Sequence, residues 1–510
     1  MEFRLLFISS VSACFELEGE SPYYAKAPYC VSLDGEELPD AFETNVFSLF
    51  GLEPDREYTV DIGGFSLTVR TMPETACLNV RDFGAKAAWT DDTRAIQAAI
   101  HACPPGGRVK IPAGKYLTGP LVLGDGITIE LDEGAVLLAS ANPDDYPVWP
   151  GEAPSHGGVV QVSSWEGEPQ KCHQSFISAW NKKDIIITGR GILNGNANSG
   201  AWWDDPKSKK IGRPRMLFLN KCENVLLHGL TVRNSPSWNL HPFFSKHIGF
   251  YDIIVEAPAD SPNTDGCNPE SCDGVDIIGA RFSVGDDAVA IKSGKLYMGA
   301  KYKTPANAHV IRNCLMEFAH GGVVLGSEMS GGVTNLTVSQ CLFRGTDRGL
   351  RIKTRRGRGK DGIIDGIVFE NIRMERVLTP LVINMFYFCD PDGKSDYAQS
   401  KTALPIDERT PYIGRFTFRN MECTDCEYAA GFFYGLPERP IDSITIENVR
   451  FHMASGAVSG LPAMMCDIEP HNRRGLVFNN VREVILSGVT FAGVDGDEVE
   501  ANNVERRQIL

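Results

Sequence analysis

Three aspartates are the residues of this chain whose type and spacing best suit chemistry. They stand in Asn263-Thr264-Asp265-Gly266 and Gly285-Asp286-Asp287, with Asp265 and Asp286 21 residues apart. If the fold gathers them, three carboxylates at close range do not all ionise freely, and at least one titrates above its usual range. Carboxyl groups with split pKa values are what general acid and general base catalysis require. Downstream come His320, in Ala319-His320-Gly321-Gly322, and Arg351-Ile352-Lys353. Two residues apart in a strand, Arg351 and Lys353 share a face. Together they suit a ligand carboxylate, arginine through its planar fork and lysine as a point charge. Trp238 and His241, in Trp238-Asn239-Leu240-His241, precede Asp265 and are candidates for a binding subsite, with a buried structural role as the alternative. The pairs Asp91-Asp92, Asp144-Asp145 and Asp204-Asp205 read as capping, turn and surface acids, and Arg355 to Lys360 as a basic loop that is either solvated or part of the site.

The elements that must position these residues are short strands recurring from about residue 110. Their starts align at Val225, Ile248, Val275, Val310 and Leu336, with gaps of 23, 27, 35 and 26 residues, and later at Phe416, Ile444 and Val484. Each strand alternates β-branched or aromatic residues and ends on Asn or Gly, as in Ser-Ile-Thr-Ile-Glu-Asn-Val-Arg-Phe at 443–451. Irregular all-β repeats of this length predict a parallel β-helix. A propeller calls for longer, more regular repeats, and a TIM barrel for alternating helices. Successive coils stack at roughly 4.8 Å, so residues one coil apart meet. Asp265 and Asp286 have that spacing. The intervals of 33 residues from Asp287 to His320 and 31 from His320 to Arg351 are each one coil plus a longer loop.

Thr90-Asp91-Asp92-Thr93 opens a stretch with helical apolar spacing, Ala95, Ile96, Ala99, Ile100 and Cys103, behind an N-cap cluster. This amphipathic helix is placed to cover the first coil. Residues 1–75 read as a separate β-sandwich similar to a fibronectin type III module, with strands at Tyr29–Leu33, Thr44–Phe50, Tyr58–Ile62 and Phe65–Arg70. The solenoid takes residues 76–510.

A net charge of −15 argues against nucleic acid or an anionic membrane as partner. No apolar run is long enough to span a bilayer. The 14 cysteines lack the pairing and histidine partners of a zinc site and read as free thiols, so the sequence calls for no metal and no cofactor. Residues 3–15 fit an alternating strand better than a signal peptide, which points to a cytoplasmic protein.

Asn-Thr-Asp, Gly-Asp-Asp, His-Gly and Arg-Ile-Lys, in this order, closely resemble the four signature segments of glycoside hydrolase family 28, the polygalacturonases. The resemblance spans about residues 77–490, and its opening, Asn79 to Ala85, looks like the shared start of pectin-active β-helices. It implies that Asp286 is the general acid, that Asp265 and Asp287 activate water, and that His320 tunes the acid or bridges it to substrate. Arg351 and Lys353 would grip a galacturonate carboxylate, with Asn263 from the first segment and Tyr387 as further substrate contacts. The usual glycine before the histidine is Ala319 here. The family inverts configuration, so acid and base are expected to splay to roughly 6.5–9.5 Å.

The implied activity is hydrolysis of α-1,4-galacturonosidic bonds in an acidic oligo- or polysaccharide. The N-terminal module resembles that of bacterial exo-acting members, and long insertions at 144–176 and 389–411 are placed to close one end of a groove, so exo-action is expected. The alternatives are an endo-polygalacturonase, a rhamnogalacturonan or xylogalacturonan hydrolase of the same family, a calcium-dependent pectate lyase and a non-catalytic carbohydrate-binding β-helix.

Overall fold

The structure is a computed structural model describing residues 1–19, 21–206 and 210–510. From Cys77 to Ile509 the chain winds as a right-handed parallel β-helix, each strand pairing in parallel with its neighbours one coil away. The expected alignment holds at Val225, Ile248 and Val275, which are direct partners, and at Phe416, Ile444 and Val484. It fails by one residue at Val310. Val275 pairs with His309, which pairs with Leu336. His309 holds the inward position that the apolar pattern assigned to its neighbour, and burial pushes its imidazole down to about 4, so it enters the core neutral.

Inward side chains of successive coils, such as Val225, Ile248, Phe369 and Phe418, merge into one continuous core. The asparagines that follow the apolar runs sit in left-handed backbone within long strands, with φ of 54° at Asn371 and Asn420 and 53° at Asn448. Asparagine tolerates this conformation better than other residues with a Cβ. Their amides also form a ladder: Asn420 donates to Asn371 at 3.2 Å, and Asn448 to Asn420 at 3.3 Å.

Five strands of one column carry the site: β1 (Leu240–Phe243), β2 (Val289–Ile291), β3 (Val323–Gly326), β4 (Arg348–Lys353) and β5 (Thr379–Asn384). Leu240, Cys267, Val289, Val323, Leu350 and Leu381 form one register line across them. At the start of the solenoid, helix α1 (Thr93–Ala102) buries Ile96, Ala99 and Ile100 against the core. Its N-cap differs from the expected one. Asp92 does not cap the helix; its carboxylate accepts from the Lys86 and Ala87 amides, and Asp91 accepts from Thr93 N–H at 2.9 Å instead.

The first 70 residues form antiparallel sheets around their own core of Phe3, Phe15, Tyr29, Phe47, Tyr58 and Val60. Phe65–Arg70 is a strand as expected, whereas the stretch read as one strand over 29–33 is split between Tyr24–Tyr29 and Ser32–Leu33. The segment over 3–15 is a hairpin of Phe3–Ile8 and Ser12–Leu17. This module packs on the flank of the solenoid. Buried Glu16 accepts from Arg312 at 2.6 Å and Asn313 at 2.7 Å, and Ser48 contacts buried His228 at 2.8 Å. Cys14 and Val46 pack on Ile278, and Tyr23 packs on Leu315 and Leu342.

Candidate active site

The aspartates meet because the turns before β2 and before Cys267 are neighbouring rungs. The Gly266 amide donates to Asp287 O at 3.0 Å, and the His320 amide to Asp286 O at 3.1 Å. The flanking glycines permit this approach. A Cβ on Gly266 would lie 2.4 Å from Ala288 O, and one on Gly285 2.4 Å from Ser261 O. Thr264 fastens the second turn to the first by accepting from the Gly285 amide at 3.2 Å. Oxygens of the three carboxylates consequently lie within 4.8 Å of one another. The expected splay is absent: each carboxylate is held by its own neighbours, and stacking by one rung sets their separation.

The three environments differ. Asp265 is buried and accepts from Asn268 at 2.8 Å. Burial, with the Asp286 charge beside it, pushes its carboxyl up to about 8. Burial also raises Asp286, but His320, 3.7 Å away, and the Lys353 charge outweigh that and hold it at about 2. The Asp286 carboxylate in turn raises the half-exposed His320 imidazole. Asp287 is clasped by Lys353 and by Arg351 at 3.4 Å. The resting site thus carries its proton on Asp265, while the resemblance assigns proton donation to Asp286.

Arg351 and Lys353 project from the same face of β4, as their spacing requires, while Leu350 and Ile352 enter the core. Tyr387 and Asn263 both line the pocket over the triad, a space of about 150 Å³. The Lys353 ammonium lies 5.8 Å from the Tyr387 ring centre, and the Asn263 carbonyl oxygen accepts from Arg213 at 2.5 Å. Trp238 also lines the pocket. His241 does not reach it. Its side chain has no accessible surface and contacts Glu270 at 3.0 Å, so its place is the structural one, under Trp238 and facing away from any ligand.

Sequence reasoning missed a second charged group beside the triad. Lys292, at the end of β2, lies 3.0 Å from Glu328, 3.9 Å from Asp265 and 4.7 Å from the Trp238 ring centre. The Lys292, Lys295 and Arg358 charges hold buried Glu328 at about 2 against the upward push of burial. Glu166 and Asp390 complete this part of the lining, one from each long insertion. Of the two readings of the basic loop, the solvated one holds only for Lys360, which is exposed: Arg355 and Arg358 are buried on Asp390, and Arg356 on Glu438. Lys292 had a signal, since it stands an odd number of residues from Val289 and Ile291, which enter the core, and alternation then turns it outward. Glu166, Glu328 and Asp390 had none, because each arrives from a different loop.

All 14 cysteines are free thiols, and the three aspartates are the one cluster of potential metal ligands among the described residues. With Lys353 and Arg351 on Asp287 and Lys292 near Asp265, the charge of that cluster is already balanced by side chains.

Comparison with known proteins agrees with this arrangement. The sequence profile of "Glycosyl hydrolases family 28" matches residues 108–407. A "Probable polygalacturonase" of Vitis vinifera is 33% identical over 398 residues, 76% of each chain. An "Endo-polygalacturonase" of Pectobacterium carotovorum is 34% identical over 319 residues, covering 59% of this chain and 74% of that one. The family 28 exopolygalacturonase of Yersinia enterocolitica superposes with a TM-score of 0.69 over 99% of this chain and 98% of its own, at 20% identity, a likeness of fold that includes the N-terminal module. Motif order, triad geometry and profile agree: the chain is a glycoside hydrolase and belongs to glycosyl hydrolases family 28.

Proposed function

We propose that the enzyme hydrolyses α-1,4-linked galacturonan from a chain end, with inversion, releasing galacturonate or digalacturonate. The observation that carries the substrate is the pair Arg351 and Lys353, two cations on one strand face at the triad of a protein that is acidic overall. They serve a neutral sugar poorly and a uronate well. The observation behind exo-action is that Glu166 and Asp390, from the two insertions, bound a pocket of about 150 Å³.

A substrate carboxylate arriving at Arg351 and Lys353 competes with Asp287 for both cations. Asp286 then loses the Lys353 share of the charge that keeps it ionised, leaving His320, and the proton resting on Asp265 passes within the triad to Asp286. Asp286 delivers it to the glycosidic oxygen, while Asp265, now ionised, and Asp287 take a proton from water. The close spacing of the carboxylates lies nearer the roughly 5–5.5 Å of retaining enzymes than the inverting range. Yet Asp287 is neutralised by two cations and Asp265 is protonated at rest, so neither is a free nucleophile, which favours attack by water.

The test is chromatography of polygalacturonate and trigalacturonate digests, with Asp286→Asn as control and the first-formed anomer read by NMR. Saturated monomer or dimer from the outset, β-configured at C1, is expected, with kcat lowered roughly 10²–10⁴-fold in the variant. A rapid fall in viscosity with few new reducing ends would replace exo- with endo-action, an α product would replace inversion with retention, and cleavage of branched pectin alone would move the substrate to a xylo- or rhamnogalacturonan.

A further inference from the structure

The tip of the insertion hairpin belongs to none of the catalytic rungs, yet it is fixed at the pocket. Glu166 sits there in left-handed backbone, φ +46°, between Ser164–Trp165 and Glu168–Pro169. Trp165 stacks on Trp238 with the rings 7° from parallel, and the Lys295 amide donates to Gly167 O at 2.9 Å. A Cβ on Gly167 would lie 2.8 Å from Lys295 N and 2.7 Å from Glu328 Cγ, so glycine is what lets the tip descend this far. The Glu166 carboxyl lines the pocket with no hydrogen bond or ion pair among the described residues. Gly167 beside it seats on Lys295 and Glu328, so Glu166 enters the pocket from the Glu328 side, where Lys292 and Asp390 also lie.

In a pyranose ring C1 and C4 are opposite atoms. With C1 of the cleaved residue at Asp286, C4 with its axial hydroxyl lies on the opposite side of the ring, and the Glu166 end of the pocket is placed to receive it. A carboxylate there accepts a hydrogen bond from a hydroxyl and repels another carboxylate. An interior residue carries at O4 a further galacturonate, whose own carboxylate would meet Glu166 and Glu328. We propose that Glu166 binds the free 4-hydroxyl of the non-reducing terminal galacturonate and excludes the chain interior, so that the chain end is the substrate. This rests on the galacturonan reading and names the end that the enzyme works from.

The test compares kcat/KM for saturated trigalacturonate and for the 4,5-unsaturated trimer, which lacks that hydroxyl, in the whole enzyme and in Glu166→Ala and Glu166→Gln. The wild-type preference for the saturated trimer is expected to fall roughly 10–100-fold in Glu166→Ala, the scale of one hydrogen bond to a charged group. Glu166→Gln should keep part of it. Reducing-end-labelled hexamer should lose unlabelled galacturonate first. An unchanged preference in both variants, or unlabelled digalacturonate as first product, overturns the proposal while leaving galacturonan hydrolysis intact, and labelled monomer as first product overturns the choice of end. A wild-type enzyme that cleaves neither trimer nor hexamer refutes the galacturonan reading itself.

Discussion

At the scale of single residues, the triad opposes the fold that holds it. Asp265 is buried beside two other carboxylates and keeps its proton to about pH 8, against 3.8 for an ordinary aspartate. A carboxyl raised in this way leaves stability intact below about pH 3.8 and lowers it progressively until the folded group ionises near pH 8, because over that window only the unfolded chain gains from ionisation. Asp265→Asn is therefore expected to abolish activity and raise Tm by several degrees at pH 8–9, with the gain shrinking toward pH 4. Thermal denaturation across pH checks this, and a constant difference would remove the burial explanation. The same proton serves the general acid, so kcat/KM should fall as pH rises through about 8. Lys292→Met removes the cation that lowers Asp265 and should move this limb upward, a shift that a merely structural lysine would not produce.

At the scale of elements, the solenoid turns local choices into a register. Asn420 keeps a left-handed conformation and links the amide ladder at once. Asn420→Val should cost about 1–2 kcal/mol, and Asn420→Gly less, measured by denaturant unfolding. Much of this scale was legible in the sequence, because a strand states its inward face by alternation and a coil its length by recurrence. Val310 shows the boundary of that reading: pattern alone treats valine as core and histidine as surface, and only stacking between Val275 and Leu336 reverses them. The four motifs located the triad because their residues occupy consecutive rungs. His241 was misplaced since a histidine next to a tryptophan reads alike whether it faces ligand or core. For Arg355, Arg356 and Arg358 the sequence left two readings open, because their partners, Asp390 and Glu438, come 32 to 82 residues later. Glu166 was invisible for a related reason. A hairpin tip has no periodicity, and its meaning comes from the wall it leans on.

At the scale of the whole molecule, the N-terminal module grips the coils whose other side carries the chemistry. Its contacts fall on Thr188, His228, Ile278, Arg312 and Leu342, a span that encloses Asp265, Asp286 and His320 in the chain. Glu16 is the central clasp. Burial raises its carboxyl, but Arg312 and Arg4 outweigh that and hold it below its ordinary value. Its contribution is present above about pH 4.5 and disappears as pH falls through the lowered value. Glu16→Gln leaves Arg312 without its counter-charge and should cost roughly 3 kcal/mol at neutral pH, with the cost shrinking in acid as Glu16 takes up its proton. A Tm loss of equal size at neutral and acid pH would show that the clasp is not ionic.

That clasp also sets an order of events in time. Glu16 and Arg312 are 296 residues apart, and translation at roughly 5–20 residues per second places about 15–60 s between them. Once residue 70 has been made the module is complete while its landing surface is not, and Cys14, Val46 and Phe7 wait for Ile278 and the coils around it. Stalling synthesis before residue 312 should yield a module sensitive to protease along that apolar edge, and release past residue 342 should close it.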